Sequence, residues 1–433
     1  MKVVVVGAGL AGLACAQRLA LRGVEVVLLE STASVGGRVR TDVIDGFRVD
    51  VGFQVLFTEY PSLPEVLDVG ALELRRYDPG ALIAQGDRRH VFSDPARDPK
   101  SLPAAIISNV VPMADKLRAW RLSAELSAKP TSAVLDGPDQ TIERFLRRRG
   151  FSERFLEAFA RPFFGGIFLD SSLHGSAKRF QYFWKMLVDG ETAVPAAGMG
   201  CIPLAVLDRV RDRVDLRLDS PVSGLVRDGG RVIGATTGTS TVTGDAVVLA
   251  TDPKTSERLS GVPFPTETRG VATVWLATTR PVVPGRKLVL HANAATVVNH
   301  FAPVSNVAPD SAPEGWHLSA ASVLGCPTLE DSGLADLVLA DCRRMFAGDL
   351  EAQVALASVK VLAVHRAPHA QLFASPGETQ RRVPTDPGIL GLRLAGEAVG
   401  GASIEGALSS GLRAADSLLD AAIAEGTNVP WTG

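Results

Sequence analysis

The feature that most constrains this chain lies at its start, where Val3-Val4-Val5-Val6 runs directly into Gly7-Ala8-Gly9-Leu10-Ala11-Gly12. Four β-branched residues in a row do not alternate between core and water, so they predict a strand buried on both faces, as in a parallel sheet covered by helices. The glycines end that strand. Leu13 to Arg22 has helical composition, Gly23 closes the helix, and Val24 to Glu30 reads as a second strand. Gly7-x-Gly9-x-x-Gly12 between a strand and a helix, with acidic Glu30 ending the next strand, is a dinucleotide-binding fingerprint in its proper context. Gly7 permits the tight turn, Gly9 lets the backbone approach a pyrophosphate, and Gly12 allows close helix–strand packing. Leu10 and Ala11 open a helix whose free N–H groups suit phosphate, and Glu30 can accept hydrogen bonds from a ribose. The fingerprint alone does not choose between NAD and FAD.

The chain has 433 residues, 46% of them hydrophobic and 21% charged, enough apolar material for a large core. Lys+Arg 45 against Asp+Glu 47 gives a net charge of -2, which disfavours generic nucleic-acid binding. Cys15, Cys201, Cys326 and Cys342 lack metal-ligand or redox spacing, so no metal site is expected and the thiols read as free in a reducing compartment. The chain enters its first strand without a secretion-signal pattern, and every apolar run is cut by a charge or a proline. A cytoplasmic protein is expected, with peripheral membrane contact as an option.

Periodicity predicts helices over Ile107 to Leu126 and Thr141 to Ala160. Short β-rich pieces follow at Val214 to Leu218, Pro221 to Arg227, Arg231 to Thr237 and Asp245 to Ala250, with Asp228-Gly229-Gly230 joining two of them as a hairpin. Further strands are expected at Val271 to Thr278, Leu288 to His291, His317 to Val323, Val359 to Ala363 and Leu392 to Ala395. Helices are expected over Leu334 to Phe346 and from about Ile404 to Ile423. No linker separates these pieces, so interwoven domains are expected.

Three blocks beyond the fingerprint settle the cofactor class by resemblance: Gly36-Gly37-Arg38 with Thr41, Asp50-Val51-Gly52-Phe53-Gln54, and Leu394-Ala395-Gly396-Glu397 leading into Gly400-Gly401-Ala402-Ser403-Ile404-Glu405-Gly406-Ala407. Together they resemble the flavin-containing amine oxidase superfamily, which includes monoamine oxidases, protoporphyrinogen oxidases and phytoene-desaturase-like enzymes. The resemblance implies an α/β fold: a Rossmann-like (GR2-type) FAD-binding domain with an inserted α+β substrate domain of mixed sheet and helices. It places the FAD-binding domain at 1–80, 195–268 and 385–433, and the substrate domain at 81–194 and 269–384. It implies that Gly37 and Arg38 contact the pyrophosphate or its ribose and that Gly52, Phe53 and Gln54 lie beside the isoalloxazine ring. The backbone of Val222 would hold adenine, Gly396 and Glu397 would meet the ribityl or phosphate chain, and N–H groups around Ser403 and Ile404 would face the pyrimidine end. FAD would be non-covalent, because no cysteine follows Cys342.

Arg161-Pro162-Phe163-Phe164-Gly165-Gly166 and Pro195-Ala196-Ala197-Gly198-Met199-Gly200, with Ala197 where a glycine is usual, look like the desaturase and protoporphyrinogen-oxidase branch. So does Pro368-His369-Ala370-Gln371. No tyrosine or tryptophan lies between Trp316 and Trp431, which speaks against an amine cage, and Lys287 beside a Pro-Gly turn reads as a surface loop residue. Phe163, Phe164, Phe168, Phe180, Tyr182, Phe183 and Trp184 either pack a core or line a tunnel. Pro112 interrupts the stretch Ile106 to Trp120, which reads as a domain-surface helix or a membrane-lying one. His300 and His365 read as structural. No catalytic residue is assigned, since hydride transfer needs a positioned C–H bond more than a base. The resemblance implies dehydrogenation of an apolar, isoprenoid- or polyene-like substrate by hydride transfer to flavin N5, with O2 or a quinone as electron acceptor. A peroxide-releasing amine oxidase and a non-catalytic flavin-binding partner are the alternatives.

Overall fold

A computed structural model describes residues 1–94, 97–292 and 296–424. The valine run forms Lys2–Val6 at the centre of a five-stranded parallel sheet ordered Val214–Arg217, Glu25–Leu29, Lys2–Val6, Ala246–Leu249 and Leu392–Leu394. Val3, Val4 and Val5 are fully buried, as two-sided coverage requires. Helices Leu10–Leu21 and Ile404–Ala424 pack together on one face, and the hairpin Val222–Asp228 and Arg231–Thr237 covers part of the other. Its two-residue turn has Gly229 and Gly230 both at positive φ, the conformation that glycine adopts most readily.

A second sheet of seven strands runs Lys360–Leu372, Thr268–Thr278, His317–Leu324, His300–Ala302, Leu288–His291, Ala81–Gln85 and Arg88–Phe92. All its neighbours are antiparallel except Leu288–His291 with Ala81–Gln85. The strand expected to end at Ala363 continues to Leu372. It is an edge strand, so Pro368 removes no ladder hydrogen bond from a second neighbour.

The helical region departs from its sequence pattern in two places. Residues 107–126 are not one helix: Leu102–Ile107 ends before Pro112, and Met113–Ser127 begins after it. Residues 141–160 divide into Ile142–Arg148 and Glu153–Phe155 across Gly150, whose φ is +81°. The second piece does not stop near Ala160. A π turn over Leu156–Ala160 carries it into Arg161–Phe168, placing Pro162 where its missing N–H is tolerated. Lys287 is likewise not a surface residue. It is 8% exposed, and its Nζ donates to Asp98 Oδ2 and to the Pro79 carbonyl, both at 2.6 Å. The side chain of Ile106 and the whole of Trp431 lie outside the described residues.

The first helix approaches its strand without a side chain between them. A Cβ on Gly12 would stand 1.8 Å from the Gly7 carbonyl oxygen. Gly12→Ala is therefore expected to lower unfolding stability by about 3 kcal/mol, because rigid backbone has to move. A urea midpoint within error of wild type would refute that reading.

Candidate functional site

The C-terminal ends of the parallel strands open on a cavity of about 1670 Å3, the location expected for ligands in open α/β sheets. Gly7, Gly9, Leu10, Ala11, Glu30, Gly37, Arg38, Phe53, Gln54, Val222, Gly396, Glu397, Ser403 and Ile404 line it. Gly12 and Gly52 do not. Gly12 is committed to the helix–strand contact, and Gly52 supplies a positive φ of +86° between Val51 and Phe53, which do line the cavity.

Helix Leu10–Leu21 begins at Gly9, which has no side-chain cap, and a Cβ on Gly9 would meet no atom within 4 Å. The first-turn N–H groups thus stand beside open cavity, an arrangement that suits an anion. Opposite, helix Ile404–Ala424 is capped by Ser403, whose Oγ accepts from the Gly406 N–H at 2.9 Å.

Three buried or half-buried carboxylates fix the loops around this end. Glu30 Oε2 accepts from the Ala8 N–H at 2.8 Å and Oε1 from the Thr32 N–H at 3.0 Å, tying the glycine turn to the second strand. Glu397, 8% exposed, accepts from the Leu372 N–H at 3.0 Å and pairs with Arg38 Nη1 at 2.9 Å, while the same Nη1 donates to the Ala370 carbonyl at 2.7 Å. Arg38 in turn presents its carbonyl to Gln54 Nε2 at 2.8 Å.

Asp50 accepts from Thr41 Oγ1 at 2.5 Å and from the Met199 N–H at 3.0 Å, and the Gly200 N–H donates to Thr41 Oγ1 at 2.8 Å. The Gly198-Met199-Gly200 segment is clamped there because a Cβ on Gly198 or Gly200 would strike Thr41. Burial is the main influence on Asp50, pushing its carboxyl up to about 6.

Away from the sheet the cavity turns apolar. Phe159, Phe163, Phe164, Phe183 and Trp184 line it, with Phe159 and Phe163 stacked at 5.0 Å and Phe164 and Trp184 at 5.5 Å. Met113, Leu117 and Trp120 also line it and are exposed. Phe168, Phe180 and Tyr182 are buried without lining it, so the aromatic cluster is divided between wall and core. Arg161 ties this region together by donating to the Ser171 and Ser172 carbonyls. His300, expected to be structural, stands in the cavity wall against Phe53, with 5.1 Å between ring centroids. The sequence gives no sign of this contact, because Phe53 lies far from His300 along the chain. Among the described residues no helix is long and apolar enough to cross a membrane.

The family described as flavin containing amine oxidoreductase matches residues 10–419. A hydroxyneurosporene desaturase of Cereibacter sphaeroides is 29% identical over 289 residues, covering 58% of this chain and 56% of that protein, so the chain spans about half the length of this relative. A coproporphyrinogen III oxidase of Propionibacterium freudenreichii subsp. freudenreichii is 26% identical over 524 residues, covering 99% of this chain and 92% of that one. An oxidoreductase structure from Methanosarcina mazei superimposes with a TM-score of 0.69 at 17% identity, over 97% of this chain and 100% of the other.

Two variants test the site's electrostatics. Arg38→Ala leaves a buried carboxylate without its cation and is expected to cost about 1–2 kcal/mol, less than a fully buried pair because Arg38 is half exposed; an unchanged denaturation midpoint would contradict this. Asp50, raised in the folded state, binds more protons there than in the unfolded chain. Its contribution is therefore present below about pH 4 and lost as pH rises through about 6. Asp50→Asn is expected to remove roughly 2 kcal/mol of decline in stability between pH 4 and pH 7, and identical pH–stability curves for the two proteins would rule the assignment out.

Proposed function

The chain belongs to the flavin containing amine oxidoreductase family, and on that premise we propose that it is an FAD-dependent enzyme that dehydrogenates a largely apolar, isoprenoid- or polyene-like substrate. The observation that carries the reading is the continuity of one cavity from the glycine turn to the aromatic helical wall, with a polar and phosphate-compatible end and an apolar end. A hydroxyneurosporene desaturase and a coproporphyrinogen III oxidase are among its sequence relatives.

The polar end fits a dinucleotide. Uncapped first-turn N–H groups beside Gly9 would face the pyrophosphate, Glu30 would accept from a ribose, and the Val222 backbone would border adenine. Gly37, Arg38, Gly396 and Glu397 would flank the chain between phosphates and ring, Phe53 and Gln54 the ring itself, and Ser403 and Ile404 its pyrimidine side. On this reading residues 1–80, 195–268 and 385–433 form the FAD-binding unit, and 81–194 and 269–384 the substrate unit. Bound FAD supplies a two-electron acceptor for hydride leaving carbon.

The protein's own part is placement and exclusion of water. Phe159, Phe163 and Trp184 would bury an apolar chain, and a fixed orientation lowers the barrier without a general base. Lys287 is held by Asp98 and Pro79 and does not line the cavity, so it is not available to organise water beside a substrate amine.

The test is anaerobic reduction of the purified flavoprotein. Polyene or isoprenoid substrates such as phytoene and neurosporene are expected to bleach the flavin, whereas putrescine, benzylamine and spermidine are not. Bleaching by the amines alone would replace this reading with amine oxidation.

A further inference from the structure

One wall of the cavity breaks its apolar lining. His300 on His300–Ala302 is the register partner of Ser322 on His317–Leu324, so the two side chains leave the same face of the sheet. Tyr77 packs on Phe53 from another direction, its ring centroid 6.2 Å away. All three residues line the cavity. Among the described residues, His300 Nε2, Ser322 Oγ and Tyr77 Oη are buried with no hydrogen-bond partner. Buried polar atoms are rarely left this way, and three beside one cavity point to a ligand that completes them.

The chemistry of that ligand follows from the protons. Asn299 Nδ2 lies 2.9 Å from the Pro162 carbonyl, which can only accept, so the amide nitrogen is fixed there. The same nitrogen lies 3.0 Å from His300 Nδ1, which therefore accepts, leaving the imidazole proton on the unpartnered Nε2. Burial depresses His300 to about 4, so the ring is neutral, and burial raises the Tyr77 phenol above its usual range. The sheet face thus presents a neutral N–H from His300 and a hydroxyl from Ser322, with the Tyr77 phenol elsewhere along the same cavity. Gly166 makes this possible: a Cβ there would come within 3.1 Å of both Asn299 Nδ2 and His300 Nδ1.

We propose that His300 and Ser322 form a subsite for a neutral oxygen acceptor, a carbonyl or hydroxyl oxygen carried by an otherwise apolar molecule, with the His300 Nε2–H as principal donor. The proposal rests on the reading that the cavity takes an apolar substrate, and narrows it to an oxygenated one or to one whose electrons leave through a quinone bound at the same place. An ammonium group is the wrong complement to an N–H donor.

The experiment titrates the flavoprotein as purified with farnesal, farnesol and farnesene, read by tryptophan fluorescence, since Trp120 and Trp184 line the cavity. Wild type is expected to bind farnesal at least tenfold more tightly than farnesene, with farnesol between them. His300→Phe is expected to bring farnesal within threefold of farnesene while leaving farnesene affinity unchanged, and Ser322→Ala to narrow the gap in part. A wild type that neither prefers farnesal to farnesene nor binds decylubiquinone through His300 would overturn the proposal, as would a tenfold preference for farnesal that survives in His300→Phe. Decylubiquinone separates the sources: His300-dependent binding of the quinone alone assigns the oxygen to the electron acceptor, and of farnesal alone to the substrate. Flavin content, measured on the same samples, keeps the two readings apart. Discrimination without flavin would sustain the subsite and sink the FAD reading, whereas a flavin-loaded protein without discrimination would do the reverse.

Discussion

The sheet end of the cavity depends on backbones that meet with no side chain between them. A Cβ on Gly12 would lie 1.8 Å from the Gly7 oxygen, one on Gly411 would lie 2.1 Å from the Ala11 oxygen, and one on Gly406 would lie 1.9 Å from the Gly401 oxygen. The first contact presses the first helix against its strand, the second presses the last helix against the first, and the third closes the turn that leads into the last helix. Both helices therefore start at the same cavity, one beside Gly9 and the other at Ser403. Two helix N-termini facing one space add positive potential to that of Arg38, which lines the same end, and this is the physical basis for assigning anionic groups to it.

Buried carboxylates then lock the loops that close this end. Glu30, Glu397 and Asp50 each accept from a backbone N–H remote in sequence or across a turn, so each joins segments that the chain order keeps apart. An ionised group taken from water is tolerated only when its acceptors are satisfied, and here the satisfying donors are the loops themselves. The apolar end is held differently, by edge and stacked aromatic contacts among Phe159, Phe163, Phe164 and Trp184. That contrast leaves one cavity with two chemical characters.

Much of the sheet end was legible because its determinants are local. The valine run, the glycine spacing and the Gly-Gly hairpin each specify conformation within a few residues. Strand Leu288–His291 was read at its true limits, whereas its parallel partner Ala81–Gln85 was not, because that pairing spans about half the chain. Lys287 looked exposed beside a Pro-Gly turn, and only the remote Asp98 shows why it is buried. The helix through Phe155 passes into Arg161–Phe168 by a π turn that helical periodicity does not reveal. His300 looks isolated for the same reason: Phe53, Ser322 and Gly166 converge on it only after the sheet and the helical segment have packed.

The central claim is that the glycine turn, the buried carboxylates and the C-terminal helix form a non-covalent FAD site. Acid denaturation of the purified protein, followed by chromatography of the supernatant and mass measurement of the pellet, tests it most directly. The account requires close to one FAD released per chain, with the polypeptide left at its unmodified mass. Release of FMN, absence of flavin after reconstitution with excess FAD, or a polypeptide that retains the flavin's mass would contradict it.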